Sequence, residues 1–181
     1  MTGLIAGPAF AQPAAEDPGA GAAPSVEKTS LPESRAERLN SLFDALADAD
    51  PNEREGVARD IQEIWSHSGS DSMDLLLLRG KRAMANEEFD KAQAHLSALT
   101  RLDPDFAEGW NALATLHFMQ EDYWLSVEEI ERTLQLEPRH FGALTGLALI
   151  LERVGRPVAA LKSWREVERL YPGAEGAKDA I

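Results

Sequence analysis

The fold is decided by residues 107–140, AEGWNALATLHFMQEDYWLSVEEIERTLQLEPRH, and residues 141–174, FGALTGLALILERVGRPVAALKSWREVERLYPGA. Both stretches place a proline at the same point near their end, and residues 73–106 do so as well. The prolines are Pro104, Pro138 and Pro172, which are 34 residues apart. Small residues recur at the same interval in two further columns: Gly80, Ala114 and Ala148, and Ala92, Ser126 and Ala160. A period of this length indicates a repeat architecture.

Every periodic signal from residue 33 onward is helical, with no alternating strand pattern. Each repeat therefore predicts a pair of helices, and the small residues mark where the two helices approach closely. Turns are expected at residues 86–88, 121–122 and 155–157. We also expect each proline to end one second helix and to start the next first helix. Asp103 would then cap the helix that begins at Pro104.

The columns and their residue types resemble the tetratricopeptide repeat family. The second and third repeats fit the pattern, whereas the first is looser and has Arg79 where leucine is usual. The resemblance implies an all-α fold, a right-handed α-α superhelix of three hairpins at residues 73–106, 107–140 and 141–174. The residues that carry the signature are Gly80, Ala92, Pro104, Trp110, Ala114, Ser126, Pro138, Ala148, Ala160, Trp164 and Pro172.

Both flanks of the repeats predict smaller helical elements. Residues 33–70 have helical apolar spacing, and Ala58 lies 34 residues before Ala92. This pattern predicts a divergent helix pair that caps the N-terminal end of the stack, because solenoids need capped ends. Residues 175–181 form only a short stub. Either the stub closes the other end, or that end contacts a partner or a second copy.

Residues 1–32 predict a truncated signal-like segment followed by a disordered linker, because they are rich in Ala, Gly and Pro. Ala9-Phe10-Ala11 before Gln12 has the small-x-small form of a secretory cleavage site. We therefore expect that the true start codon lies upstream, that the mature protein begins at Gln12, and that it is periplasmic. A cytoplasmic tail is the alternative.

Composition excludes several classes of function. The chain has 18 Lys and Arg against 31 Asp and Glu, a net charge of −13, which disfavours nucleic acid and anionic membranes as partners. It has no cysteine for disulfides or thiol catalysis, and no apolar run of the roughly 20 residues that span a membrane. His117 is expected in the core, and the Glu128-Glu129 pair in solvent. No catalytic or metal motif is present, so we expect no enzyme, no cofactor and no metal.

The family resemblance implies a concave groove that binds a peptide or an amphipathic helix of another protein. Carried over by repeat position, the groove residues are Leu77, Lys81, Met84, Glu108, Asn111, Thr115, Phe118, Met119, Thr145, Leu149 and Arg153. Some members hold a partner's terminal carboxylate, but only Lys81 and Asn111 remain of that clamp, so it is not expected here. The alternative is a structural subunit of an envelope complex that uses its convex face or C-terminal end, where self-association is also possible.

Overall fold

The computed structural model describes residues 34–181, which form helices and no strand. The predicted signal-like segment and linker, residues 1–32, lie outside the described residues. The helices are α1 (Arg35–Asp48), α2 (Arg54–Ser66), α3 (Asp71–Ala85), α4 (Phe89–Leu102), α5 (Ala107–Met119), α6 (Tyr123–Leu136), α7 (Phe141–Arg153), α8 (Pro157–Leu170) and α9 (Ala177–Ala180). Consecutive helices from α3 to α8 pack as three antiparallel hairpins. This confirms the predicted all-α solenoid.

The turn inside each hairpin has the same backbone geometry. Glu87, Glu121 and Gly155 occupy one repeat position and have φ angles of 58°, 62° and 72°. The N–H of the next residue donates a hydrogen bond to the carbonyl oxygen five residues earlier, as Glu88 N does to Ala83 O at 2.9 Å. This pair of features defines a Schellman motif, which ends a helix with a left-handed residue. Glycine adopts that conformation without strain, whereas the two glutamates do not.

Small residues lie where the two helices of a hairpin cross. Ala92, Ala148 and Ala160 are all buried, and a Cβ on Gly80 would overlap the Leu96 side chain. Ser126 is buried too, and its Oγ donates a hydrogen bond to the Ala114 carbonyl oxygen at 2.8 Å. Close helix approach therefore requires small side chains at these positions.

The expectation that repeat prolines start the next helix is wrong. Pro104 lies in the turn between α4 and α5, and α5 begins only at Ala107. Asp103 is the C-cap of α4 and caps no helix start. Proline cannot continue a helix, so it ends the second helix of each pair. The turn is instead held by Trp110, whose Nε1 donates to the Pro104 carbonyl oxygen at 2.9 Å.

The N-terminal helix pair, α1 and α2, does not cap α3, in contrast to the sequence prediction. Helix α1 contacts α8, and α2 contacts α5. The guanidinium of Arg139 donates to Asn40 Oδ1 at 2.9 Å and lies 4.4 Å from the centre of the Phe43 ring. Arg54 Nη1 donates to the Pro172 carbonyl oxygen at 3.3 Å. The pair therefore packs along the edge where the turns between repeats lie.

The C-terminal end of the stack is covered from two sides. Helix α9 contacts α8, as α1 does, and Ala177 is fully buried. Trp164 and Val167 of α8 are consequently buried. Neither of these large apolar side chains is left open to mediate self-association at this end. Within residues 34–181, none of the helices combines the length and apolarity required to cross a membrane.

Candidate functional site

An apolar cavity of about 240 Å³ lies between α5 and α7, the first helices of two successive hairpins, on the side that the family resemblance predicts to be concave. Five of the predicted groove residues line it, and we call them the open groove. They are Asn111, Thr115 and Phe118 from α5 and Thr145 and Leu149 from α7. The structure thus brings together residues that the sequence separates by up to 38 positions.

Small residues give the open groove its depth. Ala114 and Ala143 lie on its floor beside Ser126 and Ile130. Gly146, on the α7 wall, would place a Cβ only 3.4 Å from Ile130 Cδ1. Glycine inside a helix costs about 0.5–1 kcal/mol relative to alanine. Here its lack of a side chain keeps the space above Ile130 free.

The rim of the open groove is aromatic and partly exposed. The rings of Phe118 and Tyr123 are 5.8 Å apart, and the guanidinium of Arg153 lies 5.7 Å from the centre of the Phe118 ring. Met119 and Leu149 expose large parts of their side chains. The rim therefore offers apolar contact together with one cation.

Glu108 closes one end of the concave side with a buried polar cluster. Its carboxylate accepts hydrogen bonds from Lys81 Nζ at 2.5 Å, Asn111 Nδ2 at 3.1 Å and His140 Nε2 at 3.0 Å. Burial alone would raise the pKa of Glu108, but the bonds from His140 and Lys81 outweigh it and hold the pKa below its ordinary value. Lys81 and Asn111 already donate to Glu108, so they are poorly placed to clamp a partner's carboxylate.

His140 links this cluster to the N-terminal helix pair, and sequence reasoning missed it. Its Nδ1 accepts from the Ala143 N–H at 3.2 Å, so the other nitrogen, Nε2, carries the proton that Glu108 accepts. Trp65 of α2 stacks on the His140 ring at 4.2 Å. His140 lies 32 residues from Glu108, so no local motif spacing could have predicted their contact.

Leu77 and Met84 are not groove residues, which corrects the sequence prediction. Both are buried in the core cluster that includes Ala92 and Leu96. Long apolar side chains at these positions turn into the core, where burial stabilises them. They are therefore excluded from the candidate surface.

A second buried polar pair joins α5 to α6. His117 is buried, and its Nδ1 lies 2.7 Å from Glu129 Oε2. The expectation that Glu129 is solvated is therefore wrong. Burial is the main cause that raises the pKa of Glu129 above its ordinary value. Within residues 34–181, no three His, Asp or Glu side chains converge as metal ligands do.

Comparisons with known proteins agree with the repeat pattern. A family model described as tetratricopeptide repeat matches residues 77–125. A TPR repeat-containing protein of Rhizobium etli is 36% identical to this chain over 157 residues. That alignment covers 86% of this chain and 77% of the Rhizobium protein.

Proposed function

This chain belongs to the tetratricopeptide repeat family, whose members generally act as non-catalytic adaptors between proteins, and we propose that its open groove binds an amphipathic helix or an extended apolar peptide of another protein. The main support for this proposal is the apolar cavity of about 240 Å³, which is lined by Phe118 and Leu149 over a floor of small residues. A cavity of this size takes one large apolar side chain of the ligand as an anchor. Because a single anchor dominates, we expect micromolar affinity.

The chain's own α2 supports a helical ligand. Trp65 of this amphipathic helix lies against His140 and Phe141 at the start of α7, with ring centres 4.2 and 4.9 Å apart. Helix α2 therefore covers the polar end of the concave side and leaves the open groove free. A partner helix would continue along the same surface and use the same mode of contact.

A selection from displayed amphipathic helical peptides tests this function. Peptides enriched on the wild-type protein are expected to bind with micromolar dissociation constants. Phe118→Glu and Leu149→Glu should each weaken binding at least about tenfold, because they place a charge in an apolar cavity. The matched control is Trp124→Glu, which changes a side chain that is 72% exposed outside the open groove. Peptides that bind all four proteins equally would refute the groove as the site.

A second candidate is a structural subunit that contacts its complex through the turns inside the hairpins. Trp124 and Val158 favour it, because they occupy the same repeat position at the starts of α6 and α8 and are 72% and 75% exposed. Purification of the protein together with its native partners separates the two candidates. If only Phe118→Glu abolishes copurification of the partners, the open groove is the contact site. If only Trp124→Glu abolishes it, the turns inside the hairpins are the contact site.

We further propose that the protein acts in the periplasm. The support is the sequence Ala9-Phe10-Ala11 before Gln12, which has the form of a cleavage site. N-terminal sequencing of the protein from fractionated cells tests the proposal. A periplasmic protein that begins at Gln12 is expected, and a cytoplasmic protein that retains residues 1–11 would contradict it.

A further inference from the structure

The outer surface of α3 is an exposed helical face at the N-terminal end of the hairpin stack. We define the outer α3 face as Asp71, Leu75, Leu78, Arg79 and Arg82, all of which are exposed. Leu75 is 43% and Leu78 is 62% exposed. Helices α1 and α2, which could have covered this face, contact α8 and α5 instead.

The repeat positions of Leu75, Leu78, Arg79 and Arg82 are buried in the next repeat, whereas the counterpart of Asp71, Asp105, is exposed. In α5 they hold Gly109, Ala112, Leu113 and Leu116, all of which are buried. A Cβ on Gly109 would lie 3.2 Å from the Leu99 side chain of the preceding hairpin. This face of each first helix is therefore the one that receives another helix. In α3, no helix of residues 34–181 fills that role.

We propose that the outer α3 face binds a second copy of this chain, with the two α3 helices antiparallel about a two-fold axis between Leu75 and Leu78. In that register Leu75 faces the partner's Leu78, and Asp71 faces the partner's Arg82. Asp71, Leu75, Leu78 and Arg82 lie within about 60° of arc at roughly 100° per residue. A two-fold interface must be self-complementary, and this face meets that requirement.

Charge favours this face over the rest of the molecule. A chain with a net charge of −13 repels its own copies. The outer α3 face is an exception, since it carries Arg79 and Arg82 against Asp71 alone. Within the described part of the chain, neither arginine forms a salt bridge. Arg82 is therefore free to pair with Asp71 of the second copy.

The size of the face predicts a weak dimer. A helix of 15 residues is roughly 22 Å long, and one such face buries less than the roughly 800 Å² per partner of a standard interface. We therefore expect a dissociation constant of about 10–100 µM. The contact is independent of the open groove, so Phe118→Glu should leave it unchanged.

Sedimentation equilibrium of the full chain tests the proposal. The wild type should dimerise in the stated range, and Leu78→Glu and Arg82→Asp should each raise the dissociation constant at least tenfold. The double variant Asp71→Arg with Arg82→Asp exchanges the two charges and should restore the dimer. Val158→Glu, a matched change at an exposed apolar residue elsewhere, should leave it unaltered.

Three results would each overturn the proposal. The first is a protein that stays monomeric up to millimolar concentration. The second is a dimer that Leu78→Glu does not weaken. The third is a charge-exchanged variant that stays monomeric although circular dichroism shows an intact fold. In each case the face is solvated or is covered by something other than a second copy in this register.

Discussion

Replacing Trp65 with alanine tests where the N-terminal helix pair packs. Trp65 is 4% exposed. Its ring stacks on His140 with an interplanar angle of 13° and lies at a tilt against Phe141 and Phe43. Because His140 and Phe141 are at the start of α7, the substitution removes contact between α2 and the last hairpin.

The expected loss of stability follows from the buried area. A tryptophan buries about 200 Å², which at roughly 25 cal/mol per Å² stabilises the fold by about 5 kcal/mol. Among the described residues, Trp65 Nε1 has no hydrogen-bond acceptor. An unpaired buried N–H costs about 1–3 kcal/mol. The net loss on Trp65→Ala should therefore be about 2–4 kcal/mol.

Urea denaturation followed by far-UV circular dichroism measures this loss. Trp124→Ala is the matched control, because Trp124 is 72% exposed, and it should change the free energy of unfolding by less than about 0.5 kcal/mol. A double-mutant cycle of Trp65→Ala with Phe141→Leu should give a coupling energy of about 0.5–1.5 kcal/mol.

Coupling of Trp65 to a residue of α3 would show that the N-terminal helix pair does not pack on the last hairpin. If α1 and α2 capped α3 as the 34-residue period predicts, Trp65 would occupy the position of Leu99, which faces Gly109, and would therefore couple to Leu75 and not to Phe141. Equal losses of unfolding free energy for Trp65→Ala and Trp124→Ala would likewise show that Trp65 is not packed between α2 and the last hairpin.

The remaining predictions concern packing and pH. Gly80→Ala should destabilise the protein by about 1–3 kcal/mol because its Cβ would overlap Leu96. Gly56→Ala, where a Cβ meets open space, should stabilise it by about 0.5–1 kcal/mol. Equal changes in the unfolding free energy of the two variants, measured by urea denaturation, would contradict this prediction. Folding lowers the pKa of Glu108, so its contribution to stability is present above the ordinary carboxyl pKa and is lost as the pH falls through the lowered value. Melting temperatures between about pH 6 and pH 3 should thus fall more for the wild type than for Glu108→Gln, and parallel curves would show that Glu108 is not responsible.

The 34-residue period predicts the helices and turns within each repeat, but it does not predict the contacts between residues that are distant in sequence. The hairpins follow from the spacing, and so do the turns inside them, in which Glu87 and Glu121 occupy equivalent positions. The packing of α1 depends on contacts such as Arg139 with Asn40, which are 99 residues apart and follow no period. Arg79 is the one residue in the sequence that could have predicted this arrangement. It stands at the repeat position of Leu113, which is buried in α5, and a charged residue at that position indicates that no helix pair packs on this face of α3.

The groove residues divide for a related physical reason. Repeat position predicts the side of the helix from which a side chain starts but not the direction in which it then turns. Thr115, Thr145 and Leu149 reach the open groove, whereas Leu77 turns into the core. Glu108 accepts a hydrogen bond from His140, and its repeat position does not predict this contact. Side-chain chemistry and neighbours that are distant in sequence therefore decide which residues are accessible.

Site-directed photocrosslinking in cells shows whether a partner protein binds in the open groove. A photoreactive residue replaces Thr145 in the open groove or, as the control, Glu131, which is exposed on α6 outside it. Mass spectrometry then identifies the crosslinked segments. We predict that position 145 captures one apolar or amphipathic segment of a partner protein, that position 131 does not, and that Phe118→Glu abolishes the capture. Capture of that segment from position 131 and not from position 145 would contradict the account.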